Sequence, residues 1–369
     1  MEKTQKIALS APNIGQAEME VVQEVLAEGY LGPNSRFTRA FERDLEDYFG
    51  EGSNVLALNS GTSALHLALR VLGIHKGDIV LVQSFSFCAP AFAVTYTGAK
   101  PVFIDSEKES WNMCPEALEE ALDYYNEMDL IDKVKAIIVV HAYGTMANME
   151  AIMRLSDEYM IPIIEDAAEA IGATYKGQKA GNWGDLGIIS FNANKTLSTG
   201  GGGALINSNK NLHQRAGYFA NQAKGTFPYY QHDEIGYNYA MGSIAAAMGS
   251  TQLRTIDSLL AARQERFERY VKQLQKHESI IGQGELAEYS SSRWLSAFQS
   301  FEQSINYQTL SELNPNLEIR PVFKPIHLQG VFKKAAYFGG DTAESIFKRG
   351  FVLPSGKGSE GIEKLNLVV

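Results

Sequence analysis

Between residues 53 and 207 seven short apolar runs, NVLALNS, DIVLVQ, KPVFID, KAIIVVHAYG, IPIIED, LGIISF and GALIN, alternate with stretches such as SALHLALRVLG and MEAIMRLSDEYM whose apolar residues recur at helical spacing. Runs of that length suit strands buried on both faces, and the helices between them supply the crossovers that parallel strands need. The expectation is an α/β fold: a large unit with a mostly parallel seven-stranded sheet sandwiched by helices and wound with right-handed crossovers. At 369 residues the chain exceeds the roughly 250 to 300 at which one core stops growing, so a second, smaller unit is expected. Residues 240–277 are Ala-rich, then charged, with helical periodicity throughout, and read as a linking helix. The segments WLSAFQSF, NLEIRPVF and GFVLPSG beyond it read as strands among short helices. The division drawn is 1–245 for the large unit, N-terminal segment included, and 246–369 for the linking helix and a small C-terminal α+β unit.

Open α/β sheets hold ligands at the C-terminal ends of their strands, so the residues that close the apolar runs matter most. The run IPII ends in Glu165 and Asp166, and the run IISF is followed by a polar loop carrying Lys195, ahead of the four glycines Gly200 to Gly203. A strand that delivers an acid and a loop that delivers a lysine meet the needs of pyridoxal phosphate chemistry. The amine condenses with the cofactor aldehyde, and the carboxylate keeps the pyridine nitrogen protonated so that the ring accepts electrons. Alone, Asp166 could equally be a helix N-cap before AAEAIGA; a buried aspartate at a strand end does need a partner, and a pyridinium would hold it ionised. Glu169, one helical turn on, points the same way.

Upstream, Ser60, Gly61 and Thr62 stand between a strand and a helix expected to open at Ser63, where free N–H groups and a hydroxyl suit a phosphate. An ordinary N-cap has the same sequence, and it is the acid and lysine downstream that favour the phosphate. Phe85 and Phe87 follow the next strand, where aromatics are usually core; only the register with the other motifs promotes Phe87 as a ring to lie on a pyridine face. Ser190 and Asn194 add polar groups beside Lys195, and the glycine run lets backbone approach a flat ligand.

A net charge of −10 argues against nucleic acid or an anionic membrane as the main partner. Cys88 and Cys114, the only cysteines, have no CxxC spacing, so neither a disulfide framework nor a metal site is expected, and reduced thiols in the cytoplasm are. The opening MEKTQKIALSAPNIGQ lacks the apolar segment of a signal peptide, and no run of about 18 apolar residues would span a membrane.

The ordered set SGTSALHLAL, FSF, EDAAEAIGA, GDLG-SFN-NK, GGGGAL and GYNY resembles the DegT type of nucleotide-sugar aminotransferases, within the aspartate aminotransferase fold, fold type I. The resemblance runs from SAPNIGQAEMEVV through RPVFKPIH to VLPSG. It implies that Lys195 is the Schiff-base lysine and Asp166 the pyridine partner, that Phe87 is the stacking ring, and that Gly61, Thr62 and Ser190 bind the phosphate. It further implies that Asn238 of GYNY reaches the phosphate of a neighbouring subunit, giving a homodimer with shared sites. Two positions depart from the common pattern: Gly201 stands where Glu is usual and Ala240 where Arg is usual. The first, with EDAAEA in place of a glutamine-containing form, resembles the subgroup that aminates a UDP-linked 4-keto-6-deoxy-N-acetylhexosamine on the way to bacillosamine.

The implied activity is transfer of an amino group, with L-glutamate as the expected donor, to the C4 keto carbon of that sugar. Arg293 and Trp294 in SSRWLS, with Arg320, Lys324 and His327 in IRPVFKPIH, are candidates for the sugar nucleotide, since diphosphates need donors and sugar or uracil rings favour aromatic surfaces. Surface charge would put the same basic residues there. A dTDP-linked, GDP-linked or 3-keto sugar would use the same cofactor residues. A sugar dehydratase is disfavoured, because such relatives replace the lysine by histidine, and a non-catalytic cofactor-binding regulator would lack donor-dependent turnover.

Overall fold

The computed structural model describes residues 6–274, 276–362 and 365–366. All seven apolar runs are strands: β1 (Asn54–Leu58), β2 (Ile79–Gln83), β3 (Lys100–Ile104), β4 (Val134–Val140), β5 (Ile163–Asp166), β6 (Leu186–Ser190) and β7 (Gly203–Asn207). The sheet nevertheless has eight strands, because β8 (Tyr337–Phe338) from the C-terminal part pairs in parallel with β3. A two-residue strand is too short to show a period, which is why the sequence pattern passes over it. The spatial order is β1-β7-β6-β5-β4-β2-β3-β8. Only β7 runs against the others, antiparallel to both β6 and β1. The loop from β6 to β7 carries Lys195 and contains no crossover helix, so the chain returns as an antiparallel neighbour.

Alternate residues of each strand enter different cores. Leu81, Ile137, Val139, Ile163 and Ile189 pack on one face, and Val80, Val82, Ile138, Ile164 and Ile188 on the other. Both faces are therefore dry, and the polar groups of the sheet are left to its strand ends. The outer edge at β1 is closed by side chains of the helix Arg36–Phe49: the N–H groups of Val55 and Ala57 donate to the carboxylates of Glu46 and Glu42.

The segment expected as one linking helix is two, Ser243–Leu253 and Ile256–Leu274, with residue 275 outside the described part. The break falls where Thr255 turns back, its hydroxyl donating to the carbonyl of Gln252 at 3.0 Å. Beyond these helices Ile280–Gly282, Ser296–Ser300, Gly350–Leu353 and Arg320–Pro321 form a second, antiparallel four-stranded sheet. Its connections bring Trp294 and residues 318–324 over the C-terminal ends of the large sheet.

Candidate active site

A cavity of about 950 Å³ lies at those strand ends. Its floor begins behind β1, where Ser60 caps the helix Gly61–Val71 and its Oγ accepts the N–H of Ser63 at 3.0 Å. The helix thus opens two residues earlier than expected, and the N–H groups of Gly61 and Thr62 have no acceptor within it. Glycine is required here: a Cβ on Gly61 would sit 3.0 Å from the Cβ of Ser190, and one on Gly203 would sit 2.5 Å from the nitrogen of Gly61. That close approach puts a helix N-terminus beside the Ser190 hydroxyl, a donor set suited to an anion.

Phe85 is fully buried against Trp111, Tyr143 and Phe323, whereas Phe87 is 61% exposed and faces the cavity. Asp166, closing β5, also lines it but is only 4% exposed, and its Oδ1 accepts the N–H of Ala168 at 3.1 Å. Burial, helped by the charge of Glu169, pushes its carboxyl up to about 6 against the opposing pull of the Ala168 N–H, Lys195 and His141. Such a carboxylate is short of a cationic donor.

Lys195 and Glu169 face Asp166 from the loops beyond β6 and β5. The Lys195 Nζ donates to Glu169 Oε1 at 3.2 Å and lies 4.0 Å from the centre of the Trp294 ring. Glu169 Oε2 accepts the N–H of Tyr143 at 2.9 Å, and Trp294 Nε1 donates to the carbonyl of Asn194 at 2.7 Å.

Tyr143 escapes sequence reading. It follows β4 with a φ of 56°, in the left-handed region where a bulky residue is rare, so surrounding contacts must hold it. They do: its hydroxyl accepts the N–H of Phe323 at 2.7 Å, and its ring stacks on Phe323 at 4.7 Å. Burial raises its phenol well above the ordinary value. Only the glycine after it, Gly144, hints at the turn: a Cβ there would meet Ser292 Oγ at 2.4 Å.

The substrate candidates divide. Arg320 and Lys324 line the cavity, both exposed, with Arg320 also paired to Glu318. Trp294 lines it too, but is 5% exposed and lies against Lys195. Arg293 does not reach it: its guanidinium donates to the carbonyl of Gln283, pairs with Glu285 at 2.8 Å and stacks on Phe267. His327 is likewise absent from the lining and works as a latch, with Nδ1 2.6 Å from Ser84 Oγ, Nε2 3.5 Å from Glu344 and the ring over Tyr337. Asn238 stays outside this chain's own cavity, accepting from Asn59 through its carbonyl and from Gln222 through its side chain.

Residues 12–364 match the DegT/DnrJ/EryC1/StrS aminotransferase family. The chain belongs to that family. Among similar proteins, EpsN of Bacillus subtilis (strain 168), assigned as a pyridoxal phosphate-dependent aminotransferase, is 39% identical over 95% of this chain and 91% of its own. A GDP-perosamine synthase of Escherichia coli O157:H7 is 33% identical over 95% and 93%. The UDP-4-amino-4,6-dideoxy-N-acetyl-beta-L-altrosamine transaminase of Campylobacter jejuni is 36% identical over 73% and 70%.

As a DegT-family aminotransferase the chain uses pyridoxal phosphate, and the donor set fits that group. The cavity joins a buried acid, a lysine amine, an exposed aromatic ring and a helix N-terminus, groups whose chemistry suits a pyridinium, an aldehyde, a flat ring and a phosphate. Among the described residues no helix is long and apolar enough to cross a membrane.

Proposed function

We propose that this aminotransferase moves an amino group from L-glutamate to the C4 keto carbon of a UDP-linked 4-keto-6-deoxy-N-acetylhexosamine. The observation that carries the proposal is the convergence of Asp166 and Lys195 on one cavity whose outer rim offers the cations Arg320 and Lys324. Bound pyridoxal phosphate supplies the electron sink for negative charge at the reacting carbon. Asp166 would accept the ring N–H, the Gly61 and Thr62 amides with Ser190 Oγ would donate to the phosphate, and Phe87 would cover a ring face. Lys195 Nζ would hold the cofactor through its aldehyde and, as a free amine, would take and return the proton at the reacting carbon of donor and ketosugar, as general base and then acid. Glu169 belongs to the same cofactor-facing set. Arg320 and Lys324 donate to the diphosphate of the sugar nucleotide.

The choice of sugar rests on EDAAEA together with Gly201, which lines the cavity and where an added Cβ would meet nothing within 4 Å. That space suits an acetamido substituent, and likeness to a transaminase named for a UDP-linked N-acetylated sugar supports it. Likeness to a GDP-perosamine synthase over nearly the whole chain favours a GDP-linked deoxysugar as the second reading. The test is turnover with glutamate on a panel of UDP-, GDP- and dTDP-linked 4-keto-6-deoxysugars, with products identified by mass and NMR. The UDP-linked N-acetyl sugar should exceed the dTDP-linked glucose derivative in kcat/KM by about 10² or more, because a site built for the acetamido group rejects analogues that leave it unpaired. Equal or reversed values, or a GDP-linked sugar in the lead, would replace this choice and leave the aminotransferase intact.

Assembly as a homodimer is part of the proposal. Asn238 lies outside its own cavity, as a residue serving a second copy would, and Tyr229, Tyr230 and Ile235 nearby in sequence are exposed. An active monomer in sedimentation at assay concentration would reject the shared site. Cytoplasmic residence, in keeping with two free cysteines, completes the reading.

A further inference from the structure

We infer that Glu169 and the indole of Trp294 form a cradle for the free amine of Lys195, a fixed station it occupies whenever it is not bonded to the cofactor. The inference rests on the reading of Lys195 as the cofactor lysine and adds what happens to that side chain after the donor amine displaces it.

Two different attractions meet at Nζ. One is the hydrogen-bonded ion pair with Glu169 Oε1 at 3.2 Å, both side chains being nearly excluded from solvent. The other is the face of Trp294, whose centre lies 4.0 Å away, within the range at which a lysine cation is drawn to an indole. Neither partner is free to drift. Glu169 is held through Oε2 by the N–H of Tyr143 at 2.9 Å and through its carbonyl by Ser292 Oγ at 3.2 Å. Trp294 is held through Nε1 by the carbonyl of Asn194 at 2.7 Å and through its own carbonyl by Arg263 Nη1 at 2.6 Å. The indole therefore bonds the residue just before the lysine while presenting its face to the lysine amine.

The consequence is kinetic. A released lysine side chain has four rotatable bonds, and a proton shuttle works only when its nitrogen returns to one place, where a displacement of about 1 Å can cost on the order of 10² in rate. Glu169 and Trp294 act through Lys195 and are positioning residues. The assignment also gives Trp294 a role other than the sugar-stacking one suggested by its sequence neighbourhood.

The test is the reactivity of the amine itself. The full-length chain, dialysed free of cofactor, is treated with trace acetic anhydride at fixed pH, and the label on Lys195 is measured by peptide mapping relative to the exposed Lys108. Glu169→Gln and Trp294→Leu should each raise that ratio by about 3-fold to 30-fold, the reach of one such attraction. Trp294→Phe, which keeps a ring face, should raise it less than Trp294→Leu. In the reconstituted enzyme kcat should fall while the donor KM stays within about twofold, since the cradle acts after binding. Wild-type labelling ratios in both folded variants would overturn the cradle; should Trp294→Leu fail to fold, Glu169→Gln and Trp294→Phe decide it. Cofactor fixed on a different lysine would sink the reading of the site, whereas the labelling ratio would still report whether Lys195 is held.

Discussion

The two walls of the cavity are held in place by different means. On the inner wall Asp166 and Ser190 close the neighbouring strands β5 and β6, and Gly61 opens the helix behind β1, so sheet register sets their spacing. On the outer wall Trp294 and residues 320–324 lie in or beside the strands of a separate sheet and reach the site through long-range bonds. Phe323 donates to the Tyr143 hydroxyl, Ile326 to the carbonyl of Ser84, and Arg263 to Trp294 and Ser10. Substitution on the inner wall should register in chemistry, whereas on the outer wall it should register in stability where a residue is a tether and in affinity where it is free.

The largest effect belongs to the inner wall. Lys195→Ala should lose proton-transfer catalysis worth about 10² to 10⁴ in turnover, measured with donor and ketosugar on folded protein. Normal turnover would mean that the wall is a scaffold only. On the outer wall, Arg293→Ala removes a buried guanidinium that bonds the carbonyl of Gln283 and stacks on Phe267, and should cost about 1.5 to 3 kcal/mol in denaturant unfolding, with KM for the nucleotide sugar unchanged. A raised KM with unaltered stability would move Arg293 back among the substrate ligands.

Asp166→Asn removes a charge-assisted bond of roughly 1.5 to 3 kcal/mol and should slow amination about tenfold to a hundredfold. It also has a pH signature. Because burial lifts the folded carboxyl to about 6, the folded chain holds a proton that the unfolded chain has already lost above about pH 4. Stability of the cofactor-free protein from this group therefore falls as pH rises through that window and levels off above it, and the Asn variant should lack the fall. An unchanged pH profile of the melting temperature would show that Asp166 is not desolvated. Smallest of all, Arg320→Ala should leave the melting temperature almost untouched, the Arg320 side chain being 66% exposed in its pair with Glu318, and raise KM for the nucleotide sugar by about threefold to tenfold. A stability loss with unchanged KM would erase the contrast between its two kinds of outer-wall residue.

The inner wall was legible because its residues obey local rules. Apolar runs give strands, strand ends give the cavity, and a Ser-Gly-Thr turn before an apolar helix gives a capped helix N-terminus, so Asp166, Lys195, Gly61 and Ser190 could be brought to one cavity from neighbours in sequence. Phe87 and Phe85 show the limit of such rules: two residues apart and chemically identical, they take opposite environments, and only the register with the other motifs favoured Phe87. The outer wall obeys no local rule. Arg293 and His327 sit in segments as basic and aromatic as that of Arg320, yet distant partners, Glu285 with Phe267 and Ser84 with Glu344, consume their polar groups. Tyr143 and β8 were missed for the same reason, since a left-handed tyrosine and a two-residue strand exist only through tertiary contact.

Reduction of the pyridoxal phosphate-loaded protein with borohydride, followed by peptide mapping, tests most directly whether Lys195 carries the cofactor opposite Asp166. The pyridoxyl adduct should lie on Lys195; an adduct on Lys179 or Lys210, with Lys195 unmodified, would contradict the account.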